Sequence, residues 1–342
     1  MVAGRRDPVL SVRGLTTRFR TDRGVVTAVD DVNFDVYPGE TIGIVGESGC
    51  GKTVTSKTIM RLLPERNSII DPKSQIMYGG MNLATAPESK MRRVRGDKVA
   101  MIFQEPMTSL NPVFTIGWQL DEALRAHTKL NKKQRLDRAV EMLRLVEIPN
   151  PEQRVKEYPH QLSGGMRQRV MIAIALCCEP DVLIADEPTT ALDVTIQAQI
   201  LALMDDLRKK LNTAILLITH DLGVVATVCD RVIVMYAGRV IEQAPVSDLF
   251  KRPQHPYTKA LLESIPKAGG KEQGQRLPTI KGIVPSLFEL PVGCRFQDRC
   301  EHKEQRCIDV EPDLEPRRFP DRPVRCHFPL NQAVAATIGE TS

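Results

Sequence analysis

The sequence predicts an α/β fold built on a mostly parallel sheet, and three observations carry that expectation. Short continuous apolar runs recur at Thr41 to Val45, Val99 to Phe103, Val182 to Ala185 and Ala214 to Ile218. Segments of helical pattern separate them, and a glycine-rich loop joins the first run to a helix. Strands buried on both faces read as unbroken apolar runs, and pairing them in parallel requires helical crossovers.

The elements follow in order. Val9 to Val12, Thr16 to Arg20 and Val32 to Val36 are β-rich runs broken by Asp22-Arg23-Gly24 and Pro38-Gly39, which predicts an antiparallel β subdomain. Lys52 to Leu63 is helix-compatible and stops at Pro64. After Pro112 the pattern turns helical through Trp118 to His127 and Lys132 to Val146, so a helical subdomain is expected over about 112–165. Thr195 to Leu211 is a further helix between the third and fourth apolar runs. From about Pro266 apolar periodicity fades and prolines multiply, which places a boundary between a first domain, 1–265, and a cysteine-rich extension, 266–342. No internal repeat is present.

Composition narrows the class. With 342 residues, 42% of them hydrophobic and 26% charged, the chain has enough apolar surface for a real core, which excludes wholesale disorder. Its longest apolar stretches, such as Met171 to Cys178, fall short of the roughly 18–20 residues that span a bilayer. The N-terminal MVAGRRDPVL carries an arginine pair without an apolar core behind it, so no secretory signal is expected. A net charge of +5 over 47 basic and 42 acidic residues holds no basic block of the kind that marks a nucleic-acid binder.

Gly46-Glu47-Ser48-Gly49-Cys50-Gly51-Lys52-Thr53 fits the pattern G-x-x-x-x-G-K-[ST] between a predicted strand and a predicted helix. Glycines let successive amides turn inward, and the helix N-terminus adds positive potential, so the loop is expected to cradle phosphates. Lys52 would reach the β- and γ-phosphates of ATP, and the Thr53 hydroxyl would ligate Mg²⁺. Cys50 is expected to be a small residue tolerated for its size; if it is accessible, alkylating it should block ATP. The strand Val182 to Ala185 runs into Asp186-Glu187 at its carboxyl end, where ligands gather in α/β sheets. Asp186 is suited to Mg²⁺, and Glu187 to orienting and deprotonating an attacking water.

Between these motifs, Leu162-Ser163-Gly164-Gly165-Met166-Arg167-Gln168-Arg169 resembles the signature of ATP-binding cassette (ABC) ATPases. The resemblance covers nearly all of the first 265 residues. Gln104 in Phe103-Gln104-Glu105-Pro106 resembles the Q-loop, which implies a further Mg²⁺ contact and a catalytic role. Asp193 in Ala191-Leu192-Asp193 is similar to the D-loop aspartate, His220 in Thr219-His220-Asp221 to the switch histidine, and Phe19 to the adenine-stacking aromatic. Met166 departs from the commoner glutamine. Ser163 and the Gly164 and Gly165 amides, at a predicted helix start, can still offer donors to a γ-phosphate. The family's geometry sets this motif against the phosphate loop of a second cassette, so a head-to-tail dimer is implied, with an identical or paralogous partner.

Cys294, Cys300, Cys307 and Cys326 have the spacing C-x₅-C-x₆-C-x₁₈-C, with no C-x-x-C pair. On spacing alone they could hold zinc, hold an iron–sulfur cluster or be idle thiols. His302 and His327 are reserve ligands. Arg252-Pro253-Gln254-His255-Pro256-Tyr257-Thr258, Gly293-Cys294 and Val324-Arg325-Cys326-His327 resemble the tail of ATPase subunits of oligopeptide and dipeptide importers. Gln104 to Pro112 and Ile184 to Thr195 are similar to the same subfamily, closest to the dipeptide type. That resemblance implies a [4Fe-4S] cluster on the four cysteines, with Zn²⁺ the alternative. It also implies two transmembrane permease subunits, an extracytoplasmic peptide-binding protein and a peripheral place on the cytoplasmic face of the membrane, with no nucleic-acid partner. Rival expectations are an importer ATPase for a metal chelate or sugar, a soluble cassette ATPase acting on nucleic acid or ribosomes, and a redox-sensing role for the cysteines.

Overall fold

The computed structural model describes residues 7–103, 110–190, 193–265 and 280–330. The chain divides into two compact units, one of residues 1–11, 35–41 and 76–218, the other of 12–34, 42–75 and 219–342.

The first unit holds three parallel strands, with Val182–Asp186 between Val99–Ile102 and Ala214–Ile218. All five residues of Val182–Asp186 and of Ala214–Ile218 are buried, which is why they read as continuous apolar runs. The expected helices form as Ile116–His127, Lys132–Leu145, Gly164–Leu176 and Val194–Leu211. Their starts are chemically marked. Thr115 accepts from the Trp118 amide, Asn131 and Gln134 form a reciprocal capping box, and Asp193 accepts from the Ile196 amide. Ile116, Leu120 and Leu124 make one buried stripe and Ala139, Met142 and Leu143 another, so these two helices pack on each other.

In the second unit Thr41–Val45 pairs in parallel with Arg231–Tyr236, which turns at Ala237-Gly238 into the antiparallel strand Arg239–Pro245. Two short strands, Pro323–Val324 and Glu315–Pro316, continue that sheet from the C-terminal segment. Leu10–Thr21 pairs with Gly24–Val36 across the Asp22-Arg23 turn, and Thr17 to Phe19 pair antiparallel with Ser68–Ile70, which gives the expected β subdomain. The phosphate-loop helix ends at Ile59, short of the expected Leu63, because Arg61 turns into the left-handed region at φ 49°.

Residues 280–330 share a core with strand Arg231–Tyr236 and helix Pro256–Glu263. Tyr236, Tyr257 and Phe296 are at most 3% exposed and meet in tilted and edge-on contacts with centroids 4.7–5.4 Å apart. Beside them lies a buried polar knot. Fully buried Glu242 accepts from the Gln254 and His255 amides at 2.8 and 2.9 Å and faces the Arg322 guanidinium at 3.7 Å. Burial pushes the Glu242 carboxyl up against these stabilising partners. Burial also pushes the His255 imidazole down to about 3, so His255 is neutral and its Nδ1 accepts from the Tyr257 amide to cap the helix. Among the described residues no helix is long and apolar enough to cross a membrane.

Glu242→Ala leaves two buried amides without their acceptor and a buried guanidinium without its nearest counter-charge. It is expected to destabilise the fold by about 3–5 kcal/mol, read as a lowered urea midpoint; a wild-type midpoint would remove the knot from the stability account.

Candidate active site

The phosphate loop leaves strand Thr41–Val45 and enters helix Lys52–Ile59. Gly46 has φ 151°, and a Cβ there would lie 2.2 Å from the Met235 carbonyl oxygen, so no side chain fits. The Cys50 carbonyl accepts from the Gly238 amide at 3.0 Å, which braces the loop against the Ala237-Gly238 turn. Lys52 is 6% exposed, and its ammonium donates to the carbonyls of Gly46 (2.7 Å) and Glu47 (3.1 Å) across the loop. Gly46 to Thr53 therefore form one continuous cradle with a cation at its centre, the arrangement that receives phosphates at a helix start.

Cys50 is 1% exposed, and burial pushes its thiol up although the Lys52 ammonium pulls the other way. Its Sγ would lie 2.7 Å from a Cβ at position 46. The condition set on alkylation, an accessible thiol, is not met in this structure, and a buried thiol agrees with a small residue tolerated for its size.

The same unit carries Phe19 and His220. Phe19, half-buried, pairs with Ser68 in the β subdomain. His220 is exposed between Thr219, whose amide donates to Ile44 O, and Asp221, whose carboxylate caps helix Leu222–Val228.

The other unit carries the carboxylates. Asp186, 2% exposed, ends its strand, and Glu187 follows in the left-handed region at φ 49°, a strained backbone for a residue with a Cβ. The Glu187 amide donates to Ile218 O at 2.9 Å, and its Oε2 accepts from the Thr190 hydroxyl at 3.0 Å. Ser163 caps helix Gly164–Leu176 through the Met166 amide, and Ser163 and Gly164 are exposed at that helix start. Gln168 is buried with its amide on Pro188 O. Asp193 serves its own helix as N-cap. Gln104, and Ala191 and Leu192 of the D-loop run, lie outside the described residues.

Cys294, Cys300, Cys307 and Cys326 line one small pocket with His255, Phe296, His302 and His327. Burial pushes the Cys294 thiol up to about 11 and the Cys326 thiol up to about 12. The Nδ1 of His327 is buried on this wall without a hydrogen-bond partner. Among the described residues no three His, Cys, Asp or Glu side chains are grouped for a single metal ion. The four thiols share this pocket and are all at least half-buried.

Sequence reasoning missed Arg299 and Tyr257 as neighbours of the phosphate loop. Arg299 holds Glu47 through Nη1–Oε2 at 2.6 Å and Nη2–Oε1 at 3.0 Å, across 252 positions of sequence, and no local pattern signals such a pair.

A glycine-rich phosphate loop leading from a parallel strand into a helix defines a P-loop nucleotide-binding protein. Residues 29–190 match the ABC transporter family, and residues 241–307 match the family described as the oligopeptide/dipeptide transporter, C-terminal region. The Sinorhizobium fredii protein named "Probable peptide ABC transporter ATP-binding protein y4tR" is 54% identical over 90% of this chain and 91% of its own. The dipeptide transport ATP-binding protein DppD of Bacillus subtilis is 52% identical over 90% of each chain. A solved dimer of the ATP-binding cassette MJ0796, with ADP and Pi bound, superposes with a TM-score of 0.61 at 26% identity, over 69% of this chain and 98% of its own. The chain belongs to the ABC transporter ATP-binding proteins, in the branch that carries the oligopeptide/dipeptide transporter C-terminal region, and it is an ATPase of that family.

In the native protein, Cys50 is expected to react with N-ethylmaleimide more slowly than half-buried Cys178, whose thiol is held down by the Cys177 thiol 3.8 Å away. Peptide mass spectrometry reads the order; equal rates would show that the loop opens freely.

Proposed function

We propose that this protein hydrolyses ATP to power the import of di- and oligopeptides, as the cassette subunit of a membrane transporter. The cargo class is carried by one observation: residues 241–307 match the C-terminal region of oligopeptide/dipeptide transporters. The protein pairs head-to-tail with a second cassette, identical or paralogous, at the cytoplasmic face of the membrane. Two permease subunits and an extracytoplasmic peptide-binding protein complete the machine.

In the reaction, Lys52 leaves the Gly46 and Glu47 carbonyls for the β- and γ-phosphate oxygens of ATP. Glu187 gives up its bond from Thr190 and accepts a proton from water. The water oxygen attacks the γ-phosphorus in line, the bond to the β,γ-bridging oxygen breaks, and ADP and inorganic phosphate are released. His220, and Ser163 to Gly165 of the opposing cassette, stabilise the transferring group. Phe19 stacks on the base. Asp193 acts at the dimer seam, and Gln104 links the site to the helical subdomain. The Thr53 hydroxyl and the Asp186 carboxylate are hard oxygen donors suited to Mg²⁺, with Gln104 a third. When bound, the ion neutralises charge on the phosphate oxygens.

The four C-terminal cysteines hold an iron–sulfur cluster, [4Fe-4S] in type, as a staple for a segment poor in regular structure. The match to the oligopeptide/dipeptide transporter C-terminal region and the pocket the four thiols share support this reading.

The transporter reconstituted in proteoliposomes is expected to hydrolyse ATP faster when its binding protein is loaded with di- or tripeptides than with sugars or metal chelates. Glu187→Gln should lower hydrolysis at least roughly 100-fold while ATP binding persists; undiminished turnover would sink the assignment of Glu187, and stimulation by another cargo would sink the peptide reading. Protein purified anaerobically is expected to contain about four irons with matching sulfide, lost in Cys300→Ser. Stoichiometric zinc or no metal would overturn the cluster.

A further inference from the structure

Glu47, the first residue after Gly46 in the phosphate loop, is held from outside the loop by the C-terminal part of its own unit. Its carboxylate receives both ends of the Arg299 guanidinium, and its amide donates to the Tyr257 hydroxyl at 2.9 Å. Such bidentate charge-assisted pairs are among the strongest hydrogen bonds proteins make. Arg299 is 4% exposed and Glu47 28%, so solvent screens the pair only in part.

The position of Arg299 is over-determined from its own side. Its Nε donates to Lys281 O at 2.9 Å, its Nη1 also reaches the Tyr236 hydroxyl at 3.2 Å, and its Nη2 reaches Ile280 O at 3.4 Å. The guanidinium lies over the rings of Tyr236 and Phe296 at 5.7 and 5.9 Å. Arg299 ends the short turn Gln297–Arg299, and the next residue, Cys300, lines the four-cysteine cavity. The backbone that fixes Arg299 is therefore the backbone that shapes the cavity.

A carboxylate in a loop that must receive a polyphosphate opposes the ligand by like charge unless it is neutralised. Arg299 neutralises Glu47 through its two charge-assisted bonds. We propose that Arg299 is a positioning residue for ATP: through Glu47 it makes the affinity of the phosphate loop depend on the fold of the C-terminal cysteine segment. Coupling of this kind is reciprocal, so ATP tightens the C-terminal segment in turn.

The inference rests on the reading of residues 46–53 as the ATP site, and the test separates the two. Mg-ATP affinity is measured by calorimetry on the full-length wild type, Lys52→Ala, Arg299→Gln, Glu47→Gln and the Arg299→Gln/Glu47→Gln double variant. Arg299→Gln is expected to weaken ATP binding about tenfold, because it leaves the Glu47 charge facing the phosphates. Adding Glu47→Gln removes that charge and is expected to restore affinity to within about threefold of wild type. A merely structural arginine would give the double variant no such recovery. Hydrogen exchange in residues 280–327 is expected to slow on adding ATP to wild type and not to Arg299→Gln. Should Arg299→Gln not fold, Glu47→Gln, which breaks the same pair from the loop side, is expected to abolish the ATP-dependent slowing of exchange in residues 280–327, and its persistence would overturn the proposal. Wild-type affinity in Arg299→Gln, additive losses in the double variant, or exchange indifferent to ATP would each overturn it as well. Wild-type protein that binds no ATP, or binds it equally in Lys52→Ala, would overturn the site reading itself.

Discussion

Gly46 has no side chain because the Met235 carbonyl oxygen occupies the place where one would be. That close approach presses the phosphate loop onto the end of strand Arg231–Tyr236 and the turn that follows it, and the Gly238 amide holds the loop there through Cys50 O. Around the turn the charges are interlocked. Arg295 donates to Ala237 O at 2.6 Å, and Arg239 and Arg295 both reach Asp30 and Glu311. Burial alone would push the Asp30 carboxyl up, yet the two guanidiniums hold it below the usual carboxylate range. The loop that cradles phosphate is thus seated on a strand, a turn and a C-terminal arginine together, and its shape belongs to all three.

Some of this was legible in the sequence, for reasons of range. Thr41–Val45 and Ala214–Ile218 form with the bounds expected of them, because a fully buried strand flanked by turn residues announces both its ends. The helix start at Lys52 was legible because the glycine loop before it is local chemistry, and the helix expected from Thr195 begins one residue earlier, at Val194, where Asp193 caps it. The early end of the first helix was not legible. Leu62 and Leu63 continue an apolar pattern, and only the left-handed turn at Arg61 shows that the chain has already left the helix.

The phosphate loop and the two carboxylates were legible because their chemistry sits within a few consecutive residues. The knot around Glu242 was not. Glu242 lies in a run that reads as ordinary strand, and its reason for being buried is supplied by Gln254, His255 and Arg322. Tyr257 and Arg299 are further cases of the same kind, placed at the loop by the aromatic core they share with Tyr236 and Phe296. The four cysteines fall between: their proximity in sequence suggested a common ligand, and the structure shows only that they line one pocket.

Lys52 rests on the carbonyls of Gly46 and Glu47, which are parts of the loop it serves. The cation is therefore held inside the loop by the loop's own backbone. A change that shifts the Gly46 or Glu47 carbonyl therefore shifts the ammonium with it, so backbone shape and the placement of positive charge are one property of this loop rather than two.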